Sequence, residues 1–268
     1  MSDAALITAL DRQDERAWKE FLVIASLLDA AVGEAWCLIG AQMVRAHAAL
    51  AGADPPRLSR DLDLIGDSRA RPGATKAIAG VLESRRFEPV GPNQFGTVHG
   101  FRLDDDDGTV VIDIFAPDNL GSREQRTTSG NATTLSAPGG TFALRTATAL
   151  PLELQTLGGQ RRQGRIRLPS LAGALGIKAC AVGVSNAPTD QLDDLILLLS
   201  LVDDPHGMRA EANGRKLAEM LRPAAARIAG RAHDDDRSLD ALGVLAVLTD
   251  PRRGCHATAR ARLTSPYY

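Results

Sequence analysis

The stretch Arg57-Leu58-Ser59-Arg60-Asp61-Leu62-Asp63-Leu64-Ile65 alternates acidic with apolar residues from Asp61 onward. Alternation with period two is the pattern of a strand, with Asp61 and Asp63 on one face and Leu62 and Leu64 on the other. Two neighbouring carboxylates on one face repel each other unless a cation lies between them. A third carboxylate interrupts Val110-Val111-Ile112-Asp113-Ile114-Phe115, a run otherwise apolar enough for a central strand. An unpaired buried aspartate there is costly. If the two strands are neighbours, Asp61, Asp63 and Asp113 together form a two-metal carboxylate site, which suits in-line phosphoryl chemistry. Taken singly, each has a plainer reading. An Asp-x-Asp pair is common on solvated strands, and a core aspartate can bond backbone amides.

The elements around these runs follow from pattern. Residues 3–31 read as a helix with an apolar stripe at Trp18, Phe21, Leu22, Ala25 and Leu28. Trp36–Ile39 reads as a short buried strand, and Gly40 ends it before a helix over Ala41–Leu50. This strand–glycine–helix turn lets backbone amides and a helix N-terminus meet a phosphate. Ala74–Arg85 reads as a helix. Phe101–Leu103 and Val110–Phe115 read as a hairpin whose Asp104–Gly108 connection is a solvated turn rather than a metal cluster. Residues 121–140 read as loop with one short strand. From Pro169 the pattern turns helical, over Pro169–Val182, Thr189–Leu201, Ala212–Ile228 and Leu239–Leu248. The expected fold is therefore α+β. A mixed sheet flanked by helices occupies residues 1–168, and a helical bundle occupies residues 169–268.

Lys178 follows Leu171 and Leu175 and precedes Val182 at spacings that put it on the apolar side of its helix. A lysine so placed needs an anion or must lose its charge. Asp194 in the next helix is one candidate partner, and a bound triphosphate is another. The basic run Arg161, Arg162, Arg165 and Arg167 reads equally as a grip for RNA phosphates or as a solvated hairpin.

Composition narrows the function classes. With 268 residues, 44% of them hydrophobic and only 4% aromatic, the core has to be built from Leu, Val, Ile and Ala. A net charge of −2 excludes a strongly basic nucleic-acid coat, so a polyanionic partner would need a local basic patch. Cys37, Cys180 and Cys255 form no CxxC pair, which indicates neither a disulfide framework nor zinc. No signal peptide and no bilayer-spanning run is read, so a cytoplasmic location without membrane contact is expected. No Walker A or GxGxxG motif occurs.

Cys37-Leu38-Ile39-Gly40-Ala41, His47 and Arg57-Leu58-Ser59-Arg60-Asp61-Leu62-Asp63-Leu64 resemble the opening signature of the AbiEii/MenT-like nucleotidyltransferase toxins. These belong to the polymerase-beta-type nucleotidyltransferase superfamily. Val111-Ile112-Asp113-Ile114 resembles the family's third-carboxylate strand. Ile177-Lys178-Ala179 resembles its lysine motif, and Leu192-Asp193-Asp194-Leu195 its late acidic motif. The resemblance covers roughly residues 36–200. Ala41 replaces the family's second glycine, and Asn186–Gln191 lacks its basic residues. The resemblance implies a Mg²⁺-dependent enzyme, with two ions or Mn²⁺ in their place. Asp61, Asp63 and Asp113 would be its metal ligands, with Lys178 catalytic beside them. Gly40, Ala41, Ser59, Arg60, Lys178 and Asp194 would bind the nucleoside triphosphate. It further implies a toxin with a cognate antitoxin and an RNA acceptor such as a tRNA 3′ end. Nucleotidyl transfer to a protein or small molecule, and an inactive nucleotide-binding module, are the alternatives. Ser59 shares the face of Asp61 and Asp63, so a phosphate on it would compete with a triphosphate; the plainer reading is that its hydroxyl bonds backbone.

Overall fold

The computed structural model describes residues 4–55, 59, 61–93, 96–121, 126–130, 132–184, 188–211, 213–231 and 236–250. In chain order the described elements are β1 (Ala5–Thr8), α1 (Arg12–Val32), β2 (Trp36–Ile39), α2 (Gly40–Ala51), β3 (Leu62–Gly66) and α3 (Ala74–Ser84). There follow β4 (Glu88–Pro89), β5 (Gly100–Asp105), β6 (Gly108–Pro117), β7 (Ser136–Ala137), α4 (Gly140–Thr146), β8 (Thr148–Gln155) and β9 (Arg161–Leu168). The chain then becomes helical, through α5 (Leu171–Val184), α6 (Pro188–Ser200), α7 (Pro205–Ala210), α8 (Gly214–Arg231) and α9 (Asp236–Thr249). The fold is α+β, with mixed sheets flanked by helices and a helical C-terminal part.

The larger sheet runs β2-β3-β6-β5-β4, with β7 added beside β6. β2 is antiparallel to β3, and β3 is parallel to β6 in a register that sets Asp63 opposite Asp113. Leu62, Leu64, Ile112 and Ile114 are fully buried, so the alternating pattern places the carboxylates on the other face. The Asp104–Gly108 segment turns the β5–β6 hairpin as expected. Asp104 pairs there with Arg102, and Asp105 pairs with Arg16 across to α1.

Three parts of the chain depart from expectation. The first helix begins only at Arg12, because Asp11 accepts from the Asp14 amide at 2.8 Å and caps it. Ala5 and Ile7 point inward from β1, which pairs in parallel with β8. The short helix α4 and the strand β8 lie where no regular structure is read, although a hairpin is one of the two readings of the basic run. The basic run lies on β9. Arg161 and Arg165 stay largely exposed and pair with Glu153 and Asp29, while Arg167 is buried. Finally, α5 is buried on nearly every side from Ala172 to Ala179, so Lys178 interrupts a buried segment rather than one stripe.

Helix α2 is fixed by two buried polar side chains. Arg45 forms a two-pronged pair with Asp14 at 2.6 and 3.0 Å, donates to the Thr8 carbonyl at 2.6 Å, and lies over the Trp18 ring. The same Asp14 carboxylate accepts from the Leu10 amide at 2.9 Å. One guanidinium thus ties β1, α1 and α2 together. Two residues later His47 bonds the Pro169 carbonyl at 3.0 Å, joining α2 to the start of the helical part. No helix of the described residues is long and apolar enough to cross a membrane.

Removing one member of a buried ion pair leaves the other charged and unpaired. Asp14→Ala is expected to lower the unfolding free energy by roughly 3 kcal/mol. The double variant Asp14→Ala/Arg45→Met should recover part of that loss. Urea unfolding of the three proteins checks both; a double variant as unstable as Asp14→Ala would show that packing, not charge, dominates.

Candidate active site

The register of three strands assembles the site. Ile39, the last residue of β2, lies opposite Asp63, and Asp63 lies opposite Asp113. Asp61 sits just ahead of β3. The chain turns into α2 at Gly40, which has φ +71°, a conformation that side chains with a Cβ rarely adopt. A Cβ on Gly40 would fall 2.6 Å from Cγ and 2.9 Å from Cβ of Asp63, directly onto its carboxylate. The backbone at the start of α2 therefore approaches the carboxylate as closely as only glycine permits. Gly100, opposite Asp113 on β5, leaves similar room: a Cβ there would lie 3.2 Å from Oδ1 of Asp113.

All of these residues except Gly100 line one pocket of about 950 Å³. On its walls are Gly40, Ala41, Ser59, Asp61, Asp63 and Asp113 from the sheet side, and Lys178, Asp190 and Gln191 from α5 and α6. Asp194 does not line it. It lies behind Lys178, whose Nζ donates to Asp194 Oδ2 at 2.8 Å and to Gln191 Oε1 at 3.0 Å. Both members of the Lys178–Asp194 pair are buried. The lysine thus has the internal partner read as one alternative while it also faces the pocket. Ser59 contributes its carbonyl to Gln42, which anchors the approach to β3 on α2. Arg60, assigned to nucleotide binding, lies outside the described residues, as do Arg57 and Cys255.

Several pocket residues escaped sequence reasoning. Phe115 lies two residues after Asp113 and so shares its face, a signal that period two alone provides. Gln191 was legible only as part of a segment departing from a known pattern. The wall formed by Leu135, Ser136, Ala137 and Pro138 depends on β7 joining β6, which no local pattern announces.

Burial and the neighbouring charge of Asp61 push the Asp113 carboxyl up from its ordinary 3.8 to about 6. Both causes disfavour the anion, which is the condition a bound cation would relieve. Carboxylate oxygens suit a hard divalent ion. Among the described residues no three His, Cys, Asp or Glu side chains form a cluster that could hold an ion by themselves. The residues fit an ion held by one or two carboxylates and completed by phosphate oxygens and water, the usual arrangement for Mg²⁺. His47, beneath the site on α2, is shifted the other way: burial lowers it from 6.5 to about 4, against the opposing bond to Pro169. The thiols are unremarkable, with Cys37 buried and pushed up by burial.

The two shifts give opposite pH dependences. Asp113 binds its proton more tightly folded than unfolded, so its contribution to stability grows as pH falls from about 6 to 3.8. His47 binds its proton less tightly folded, so stability is lost as pH falls from 6.5 toward 4. Each is worth roughly 3 kcal/mol over its window at ~1.4 kcal/mol per pH unit. Without metal, the wild type should therefore have a nearly flat profile from pH 6 to 4.5. Asp113→Asn should be more stable than wild type at pH 7.5 and should expose the His47 loss on acidification. His47→Gln should expose the opposite slope. Urea midpoints across this range test both, and parallel profiles for all three proteins would contradict the assignments. Gly40→Ala should be destabilised by at least ~1 kcal/mol from its backbone conformation alone, and it should displace Asp63.

No family model matches the sequence, and no curated protein matches it. Among solved structures, the chain is similar to an antigenic nucleotidyltransferase-like protein from Paracoccidioides brasiliensis, at 20% identity and TM-score 0.45 over 82% of this chain and 91% of that one. It is also similar to the antibiotic-resistance factor ANT(2'')-Ia, at 16% identity and TM-score 0.37 over 80% of this chain and 96% of that one.

Proposed function

We propose that this chain is a divalent-metal-dependent nucleotidyltransferase. The reading is supported above all by one arrangement: Asp61, Asp63, Asp113, Gly40 and Lys178 line a single pocket, although they are spread over roughly 140 residues of sequence. Asp61 and Asp63 would hold the ion or ions, and Asp113 would complete one such site. A bound divalent ion supplies charge neutralisation at the phosphates and a template for in-line attack. The amides at the start of α2 approach the phosphate chain where Gly40 leaves room. Asp113 would also help to activate the attacking hydroxyl by accepting its proton. The acceptor oxygen forms a bond to the α-phosphorus, the bond from that phosphorus to the bridging oxygen breaks, and pyrophosphate leaves.

Lys178 neutralises the leaving polyphosphate while Gln191 and Asp194 hold its ammonium in place. The observation that favours a second reading is the same pair. A lysine already satisfied by Asp194 needs no ligand, and it would equally suit a module that binds nucleotides without turnover. Following the resemblance carried by residues 36–200, the acceptor is RNA, such as a tRNA 3′ end. The chain then acts as a toxin restrained by a cognate antitoxin. Transfer to a protein or small molecule uses the same pocket chemistry.

The test is incubation with each labelled nucleoside triphosphate, Mg²⁺ and total tRNA. Label on RNA, lost in Asp61→Ala and in Asp63→Ala, is the expected result. Label on protein or on a small alcohol redirects the acceptor. Triphosphate binding without pyrophosphate release selects the inactive module. Lys178→Met is expected to lower kcat/KM roughly ten- to a hundredfold, the worth of a charge-assisted hydrogen bond. Unchanged kinetics in this variant would make Lys178 structural.

A further inference from the structure

At the far end of β2 and β3 from the carboxylates lies a second pocket, of about 610 Å³. Its walls include Glu34 and Ala35 just before β2, Arg71 after β3, Leu144 and Arg145 at the end of α4, and Arg167 near the end of β9. The four residues of β2 separate Ala35 from Gly40, so the two pockets are roughly 15 Å apart along the strand. The charge here has the opposite sign to that of the carboxylate pocket. Three guanidinium groups face one carboxylate, and among the described residues neither Arg71 nor Arg145 has a carboxylate partner.

Arg167 is the informative residue. It is 8% exposed, yet its charge is poorly answered. Its Nη1 lies 3.5 Å from Oε1 of Glu34, a carboxylate whose side chain is 89% exposed. Its Nη2 donates to the Ala147 carbonyl at 3.3 Å, and its Nε is buried without a hydrogen-bond partner. Buried polar groups are nearly always satisfied, and a buried charge with a weak partner is expensive to keep. A buried guanidinium with so weak a partner, lining a solvent-open pocket beside two further arginines, is an arrangement that suits a tetrahedral oxyanion.

We propose that Arg71, Arg145 and Arg167 form a binding site for a phosphate-type oxyanion, distinct from the carboxylate pocket. The anion is either free phosphate or a phosphodiester of a nucleic-acid strand; the chemistry of recognition is the same. It neutralises the weakly answered charge of Arg167 where that residue lines the pocket, and Arg71 and Arg145 close over it from the rim. A simpler account is that Arg167 serves only to satisfy the Ala147 carbonyl at the end of α4. In that case the pocket takes no anion.

Calorimetric titration of the full chain, without divalent metal, distinguishes these. The probes are inorganic phosphate and a short single-stranded RNA lacking terminal phosphates. The expected result is saturable binding of at least one probe with one site per chain. It should be weakened about tenfold or more in Arg145→Ala and retained in Lys178→Met, which alters the other pocket. Arg145 is exposed, so its variant should unfold at the wild-type temperature without ligand. Arg167→Gln should show the same loss if it folds. Phosphate binding identifies a free anion, and binding of RNA alone identifies the phosphodiester. The proposal is overturned if neither probe binds saturably, if Arg145→Ala binds as the wild type does, or if Lys178→Met alone abolishes binding.

Discussion

The contact between Gly40 and Asp63 is the constraint on which the site depends. The β2–β3 register brings the last residue of one strand against the carboxylate of the other, and α2 must start there with no side chain in between. Any Cβ would occupy the carboxylate's own volume. The position of Asp63 and the direction of α2 are therefore not independent. Arg45 holds α2 to α1 and β1, and His47 holds it to the segment preceding α5. Through that one helix, elements distant in sequence determine where the N-terminus of α2 points.

Charge is divided along the same strands. The carboxylates gather at the C-terminal end of β2, and the arginines gather beyond its N-terminal end. Between them the strands are apolar, with Trp36, Cys37, Leu38, Leu64 and Ile65 fully buried. Within the larger pocket Lys178 is neutralised from behind by Asp194. Burial, with the charge of Asp61 added to it, raises the proton affinity of Asp113.

The sequence was most readable where side-chain alternation and burial agree. Asp61, Leu62, Asp63 and Leu64 declared a strand and its two faces, and Asp113 stood out because its neighbours are wholly apolar. Gly40 was legible as a turn, but the reason for it is Asp63, 23 positions along the sequence. The missing parts share a physical cause. Ala5–Thr8 is too short for its period to be separated from that of the following helix, and its strand character comes from pairing with β8. β8 and β9 carry Pro151 and Gly164, residues that weaken local strand signals but are tolerated in this small sheet. Lys178 was found by its spacing, although its helix proved buried on almost all sides. The basic run was left ambiguous because alternation places its arginines in different surroundings, and only the fold distinguishes Arg167 from Arg161 and Arg165.

The parallel pairing of β1 with β8 has a consequence for how the chain is made. Ala5 lies opposite Leu152, so β1 finds its partner only after roughly 150 further residues have been added. At synthesis rates of about 5–20 residues per second, that interval is on the order of ten seconds. The β2–β6 region is complete well before then and closes from contacts nearer in sequence. The N-terminal strand, with the Arg45 anchor that its Thr8 carbonyl helps to hold, is thus locked late. A late long-range closure of the fold reaches the same helix whose first residue shapes the pocket.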